Sequence, residues 1–159
     1  MSDVAASPFR RFLAAGFGAG LIPRRLWGSD NGAGTVGAVL AAVIAVALAP
    51  FPEYVHLGAI GVTLALSLWA PVPFLDTDAH GDPQWVAIDE VAGALIALTW
   101  LAGLPWVVAW AVFRAADIWK VLPGVAQAER LAGSLGVTAD DVVAGLYGLA
   151  AGSLVALLF

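Results

Sequence analysis

Asp82-Pro83-Gln84-Trp85-Val86-Ala87-Ile88-Asp89-Glu90 runs directly into Val91-Ala92-Gly93-Ala94-Leu95-Ile96-Ala97-Leu98. Three carboxylates therefore stand at the mouth of an apolar segment long enough to enter a bilayer. An acid carried into hydrocarbon costs about 2.5–3.5 kcal/mol on insertion scales unless something pairs with it. Acids in this position call for a partner. A divalent cation at the membrane surface, facing an anionic head group, is the partner the pattern suggests.

The rest of the chain shares the character of that stretch. Of its 159 residues, 61% are hydrophobic and only 12% are charged. A soluble domain is about 45–50% apolar and about 25% charged, so the departure is large in both directions. Several apolar runs approach the roughly 20 residues that cross about 30 Å of hydrocarbon. The expected fold class is all-α: a polytopic helical membrane bundle of about five spans with short interfacial helices, one domain over residues 1–159. Abundant Ala and Gly suit the close approach of membrane helices. With no cysteine in the chain, disulfides, thiolate metal sites and a cysteine nucleophile are excluded. A net charge of −5 without a basic patch argues against nucleic acid as a partner. The first residues, polar and followed by Arg10-Arg11 and a glycine-broken stretch, do not read as a signal peptide.

In chain order, Ser7–Leu21 reads as a short interfacial helix, and Ile22–Ala33 as a loop because of its breakers. Gly34–Ala49 is the first expected span, stopped by Pro50 and Pro52, and Tyr54–Ala70 the second, stopped by Pro71 and Pro73. A polar loop with Asp76, Asp78, His80 and Asp82 follows. Trp85–Ala102 is taken as the third span and Pro105–Lys120 as the fourth, because Pro105 removes a helical donor and restricts Leu104. A single span over Val91–Phe113 is the alternative. Leu122–Leu135 reads as a surface helix or loop, and Asp140–Phe159 as the last span.

With a hairpin at Pro105, all seven basic residues fall on one side of the membrane: Arg10, Arg11, Arg24, Arg25, Arg114, Lys120 and Arg130. The opposite turns, Pro50–Val55 and Gly103–Pro105, contain no Lys or Arg. The positive-inside rule makes the basic side cytoplasmic. The same side holds every carboxylate except Glu53.

Four constellations carry chemistry. Asp89 and Glu90 sit near the start of the third span, where they either hold a magnesium ion through hard oxygen ligands or merely complement a helix N-terminus. Arg114, Asp117 and Lys120 recur every three residues on one helical face. An Arg fork and a Lys point charge beside an acid suit a phosphate, although a self-neutralising salt-bridge row fits the same spacing. Asp140-Asp141 opens the last span, and Thr138 three residues before Asp141 resembles a capping box. Gly32-Ala33-Gly34-Thr35-Val36-Gly37 begins the first span, so exposed backbone N–H groups and the Thr35 hydroxyl are available to a phosphate oxygen. His56 reads as an interfacial residue, and the Trp residues as aromatic belts.

Taken together these blocks resemble the phosphatidylglycerophosphatase A family. The matching stretches are Gly16-Phe17-Gly18-Ala19-Gly20-Leu21-Ile22-Pro23, Gly34-Thr35-Val36-Gly37, Asp82-Pro83 with Ile88-Asp89-Glu90-Val91-Ala92-Gly93, Phe113-Arg114 with Asp117-Ile118 and Lys120, and Gly136-Val137 with Asp140-Asp141-Val142-Val143-Ala144-Gly145. The resemblance implies a magnesium-dependent lipid phosphatase, multi-pass in the bacterial inner membrane. Its implied reaction takes the terminal phosphate from phosphatidylglycerophosphate, leaving phosphatidylglycerol. Asp82, Asp89, Glu90, Asp140 and Asp141 would be the metal-site acids, with Arg114, Asp117, Lys120 and Thr35 in the same site. The chain departs from the family pattern in five places. Lys120 is followed by Val121-Leu122-Pro123 rather than by proline. A usual aspartate falls on Ala128, with Glu129 beside it. A usual Gly-Gly is Gly133-Ser134. An insertion-like Arg24–Asn31 interrupts the Gly-Thr loop, and that loop's proline is Ala33.

The expected mechanism is metal-assisted, in-line attack of water on a phosphomonoester. Asp89 or Asp141 would take the water's proton, Asp117 would lie among the catalytic acids, and Arg114, Lys120 and Thr35 would hold the phosphate. Two rival readings remain at this level. One is an ion or proton transporter, which the clustering of acids at one side argues against. The other is a divergent family member, weak or redirected in its activity, or a lipid-binding protein without turnover. The oligomeric state is not legible.

Overall fold

The computed structural model describes residues 7–75 and 83–158, and among them every regular element is helical. The first helix, α1 (Pro8–Ala14), starts where the Ser7 hydroxyl accepts from the Arg10 N–H at 3.2 Å and Pro8 takes a position that needs no donor. Gly16, Phe17 and Gly18 then adopt positive φ, which stops α1, and a single 3-10 turn follows at Ala19–Leu21. The expected continuous helix over 7–21 is thus two pieces. Directly after it comes α2 (Ile22–Trp27), a helix where breakers suggested a loop. Pro23 lies in its first turn, where proline is tolerated, and Gly28 closes it at φ 75°.

The next two helices, α3 (Ala33–Leu48) and α4 (Glu53–Trp69), match the first two expected spans to within one residue at each boundary. The expected third span does not form one helix. Pro83–Ala87 enters as irregular backbone, and only Ile88–Ala97 is helical (α5). Ten residues extend about 15 Å at 1.5 Å per residue, half the depth of a bilayer core. The cause is tertiary. The Ala87 N–H donates to Ala14 O at 3.0 Å, docking the entry segment on α1, and Val86 and Ala87 are fully buried. After Leu98 the chain turns, with Trp100 at φ 61°.

A long helix, α6 (Gly103–Trp119), leads back, so the break precedes Gly103 and Pro105 falls harmlessly in the first turn. After the short α7 (Val125–Ala128) comes the last helix, α8 (Ser134–Ala156), which begins well before its expected start at Asp140. Asp140 and Asp141 therefore sit in its second turn, not at its mouth. Thr138 is no cap: its hydroxyl donates to Ser134 O at 2.8 Å and meets the buried Ser67 hydroxyl of α4.

Helix α5 forms the middle of the molecule. Nearly all its side chains are buried, and Val91, Ala94 and Leu95 pack with Ala38 and Ala41 of α3, Phe113 of α6 and Ala144 of α8. The surrounding helices turn apolar residues outward: Val39, Val43 and Val46 on α3, Leu57 and Val62 on α4, Leu104 and Val107 on α6, Leu146 and Leu154 on α8. Two helical runs, Glu53–Phe74 and Ser134–Ala156, are long and apolar enough to cross a membrane, at 22 and 23 residues. At the end far from Asp89 and Glu90, His56 is half-buried and its Nε2 lies 2.9 Å from Leu95 O, one of the last carbonyls of α5.

Candidate active site

Asp89 and Glu90 occupy the first turn of α5, where unpaired helix N–H groups favour negative charge. Asp141 approaches from α8. What brings the two helices together is a crossing of glycines one turn further along each, since Asp89 and Gly93 share a face of α5 as Asp141 and Gly145 share a face of α8. A Cβ on Gly93 would lie 2.6 Å from Asp141 O, and one on Gly145 would lie 2.5 Å from Gly93 O. No larger residue fits at this spacing. On the open side, Gly34 of α3 leaves the space that the Glu90 carboxylate fills.

The result is a compact acid group. Asp89, Glu90 and Asp141 each present a carboxylate oxygen, and these atoms lie within 4.8 Å of one another. Asp89 and Asp141 are each 3% exposed, and Glu90 Oε2 and Asp141 Oδ1 are buried without a hydrogen-bond donor. Carboxylates this close repel unless a cation or protons neutralise them. Oxygens that share one magnesium ion at bonds of about 2.0–2.1 Å stand closer together than this limit, so the three would draw inward around a bound ion. An all-oxygen, anionic donor set of this size fits a small hard divalent cation.

Beside the acids stands Arg114 of α6, 8% exposed. Its Nη2 donates to Thr35 Oγ1 of α3 at 3.1 Å, and its Nη1 donates to the Asp117 carboxylate. Lys120 ends α6 in the left-handed conformation, φ 50°. Its Nζ donates to Asp140 Oδ2 at 2.7 Å and to Glu129 Oε1 at 2.5 Å. Burial alone would lower the Lys120 pKa, but the two carboxylate hydrogen bonds outweigh it and hold the ammonium above its ordinary value. A cleft of about 430 Å³ runs past these groups, lined among others by Asp30, Thr35, Gln84, Glu90, Arg114 and Lys120.

The residues singled out in the sequence thus fall into three sets. Asp89, Glu90 and Asp141 form the acid group; Thr35, Arg114 and Asp117 form a bonded trio; Lys120 joins Asp140. The Asp140 carboxylate turns to Lys120 and, among the described residues, stands outside the acid group. Asp82, with Asp76, Asp78 and His80, lies outside the described residues. Two participants had not been picked out as site residues, Asp30 and Gln84 in the cleft wall, whereas Glu129, a possible substitute for the aspartate that falls on Ala128, is a partner of Lys120. An acid six residues after Arg24 was a faint signal for Asp30, but its placement depends on α2 folding as a helix.

The model of the family Phosphatidylglycerophosphatase A matches residues 12–156, which contain every group just described. The chain belongs to the phosphatidylglycerophosphatase A family. A protein of Haemophilus influenzae named phosphatidylglycerophosphatase A is 34% identical over 142 residues, covering 85% of this chain and 81% of that protein. A Bacteroides thetaiotaomicron protein, provisionally named a phosphatidylinositol-3-phosphatase, is 36% identical over 145 residues, covering 85% and 86%. No solved structure matches the chain. Membership of the phosphatidylglycerophosphatase A family makes this chain a lipid phosphatase.

Proposed function

We propose that this chain hydrolyses the terminal phosphate of phosphatidylglycerophosphate, giving phosphatidylglycerol and inorganic phosphate, with magnesium, at the cytoplasmic face of the bacterial inner membrane. The observation that carries the reading is the convergence of Asp89, Glu90 and Asp141, from two helices, within reach of one cation and beside Arg114. Those three carboxylates would hold the magnesium ion. Bound there, the ion supplies charge neutralisation for the phosphate oxygens and lowers the pKa of a coordinated water.

The chain's own residues account for the rest. Arg114 is fixed by Thr35 and Asp117, so its guanidinium is oriented before substrate arrives and loses little freedom on binding a phosphate oxygen. Lys120 lines the same cleft and adds a second positive charge. The proton of the attacking water passes to Asp89 or Asp141, whichever keeps an oxygen out of the cation's shell. Asp117, occupied by Arg114, acts by positioning. The protonated carboxyl gives that proton to the leaving alkoxide, which departs as the lipid alcohol, and the tails stay in the bilayer.

The membrane reading rests on the outward apolar faces and on polarity. Arg10 reaches Trp69 O at the end of α4, Arg11 lies over Trp85, Arg24 pairs with Asp30, and Arg114 and Lys120 stand in the site, so the basic residues gather at the acid end. That end is cytoplasmic by the positive-inside rule. Five passes follow if α3, α4, α6 and α8 cross and Pro83–Ala97 descends as a buried, partly irregular segment.

The test is phosphate release by the purified protein in detergent-lipid micelles. Phosphatidylglycerophosphate with magnesium is expected to turn over, chelation to stop it, and Asp89→Asn or Asp141→Asn to lower kcat by about 100-fold or more. Preferred turnover of a phosphatidylinositol phosphate would redirect the substrate assignment, and a rate indifferent to chelation would remove the metal.

A further inference from the structure

The insertion-like stretch Arg24–Asn31 places its last two residues in the wall of the cleft. Asp30 and Asn31 line it together with Gln84, Glu90, Arg114 and Lys120. Asp30 is held from two directions. Its backbone carbonyl accepts from the Ala33 N–H at 3.1 Å at the entry to α3, and its Oδ2 accepts from Arg24 Nη1 at 3.2 Å. Its other carboxylate oxygen, Oδ1, is buried and accepts no hydrogen bond.

An ionised carboxylate only accepts. Placed in a cleft whose cations suit a phosphate, it cannot bond the phosphate dianion and repels it, so its satisfying partner is a donor elsewhere on the substrate. A head group with a hydroxyl next to the phosphate-bearing carbon brings such a donor. We infer that Asp30 is a specificity-determining residue: it accepts a hydrogen bond from a free head-group hydroxyl beside the scissile phosphate, so the cleft selects polyol phosphates. The inference rests on the phosphatase reading of the same cleft. Arg24 acts on Asp30 as a positioning residue, fixing which oxygen is left for the substrate.

The experiment compares phosphatidylglycerophosphate with an analogue whose head-group hydroxyl is replaced by hydrogen. The intact wild type and the Asp30→Asn, Asp30→Ala and Asp30→Glu variants are assayed in the same micelles. Losing a hydrogen bond to a charged group is worth about tenfold or more in kcat/KM, so removing the hydroxyl is expected to cost the wild type that factor. It is expected to cost Asp30→Ala little, and Asp30→Asn and Asp30→Glu, which each keep an acceptor, intermediate factors. Equal losses in all four proteins, or none in the wild type, would overturn the Asp30 assignment and leave the phosphatase reading standing. Wild-type turnover of neither lipid would overturn both.

Discussion

Arg114 donates at once to Thr35 on a neighbouring helix and to Asp117 one turn further along its own. A guanidinium fork holds these donors in one fixed plane, while an ammonium in the same place lacks the fork that reaches both partners and a phosphate in that geometry. Arg114→Lys is therefore expected to lower kcat/KM about tenfold to a hundredfold, at roughly 1.5–3 kcal/mol per charged hydrogen bond, while thermal unfolding in detergent shifts little. Arg114→Ala differs in kind. It leaves Asp117, whose side chain is 13% exposed, without its cation, and breaking a buried pair from one side costs about 3–5 kcal/mol. The alanine variant should lose thermal stability as well as activity. If lysine and alanine variants unfold at the same temperature, the Arg114–Asp117 pair is not what holds that part of α6.

The acids of the site were legible as residues because a charge inside an apolar run stands out, but what sets their spacing is a property of elements. α5 and α8 touch backbone to backbone at Gly93 and Gly145, one turn from Asp89 and Asp141. Gly93→Ala gains about 1 kcal/mol of helix propensity. Against that, its Cβ would meet Asp141 O at 2.6 Å and the Phe113 ring at 2.8 Å, and overpacking costs about 1–3 kcal/mol with backbone displacement. Displacement wins on function: the variant is expected to need several-fold more magnesium for half-maximal rate and to melt earlier. A Gly93→Ala protein with unchanged magnesium dependence would show that the crossing does not gauge the site. Sequence alone could not show this. Prolines around α3 and α4 give those boundaries locally, whereas the shortness of α5 follows from the bond between Ala87 and Ala14 and from burial on every side. The early start of α8 at Ser134 likewise hid that Asp140 and Asp141 point to different neighbours, one to Lys120 and one to the acid group. Asp30 was invisible for the same reason, since its place in the cleft wall depends on α2 and the loop after it.

At the scale of the whole molecule, the inside and outside of the fold are both apolar, and polarity is sorted along the bundle instead. Val39, Val43 and Val46 make an outward stripe on α3 at helical spacing, and comparable residues face out from α4, α6 and α8. Contiguous exposed apolar surface on this scale marks a membrane or partner contact, and here it girdles the molecule between a charged end and an end holding only Glu53 among the acids of the described residues. The absence of cysteine makes the sidedness directly measurable, because a single introduced thiol is the only one present. Glu129→Cys would report the acid end, where Glu129 is exposed beside Lys120, and Phe51→Cys would report the turn between α3 and α4, where Phe51 is 59% exposed. With a membrane-impermeant maleimide, the thiol at 51 is expected to label in intact spheroplasts and the thiol at 129 only in inverted vesicles. The rule being tested is the positive-inside distribution of seven basic residues, and reversal of both labels would place the active site on the opposite face. Labelling of both positions from one side would mean that the helices between them do not carry the chain across, and the girdle would have to be covered by something other than lipid.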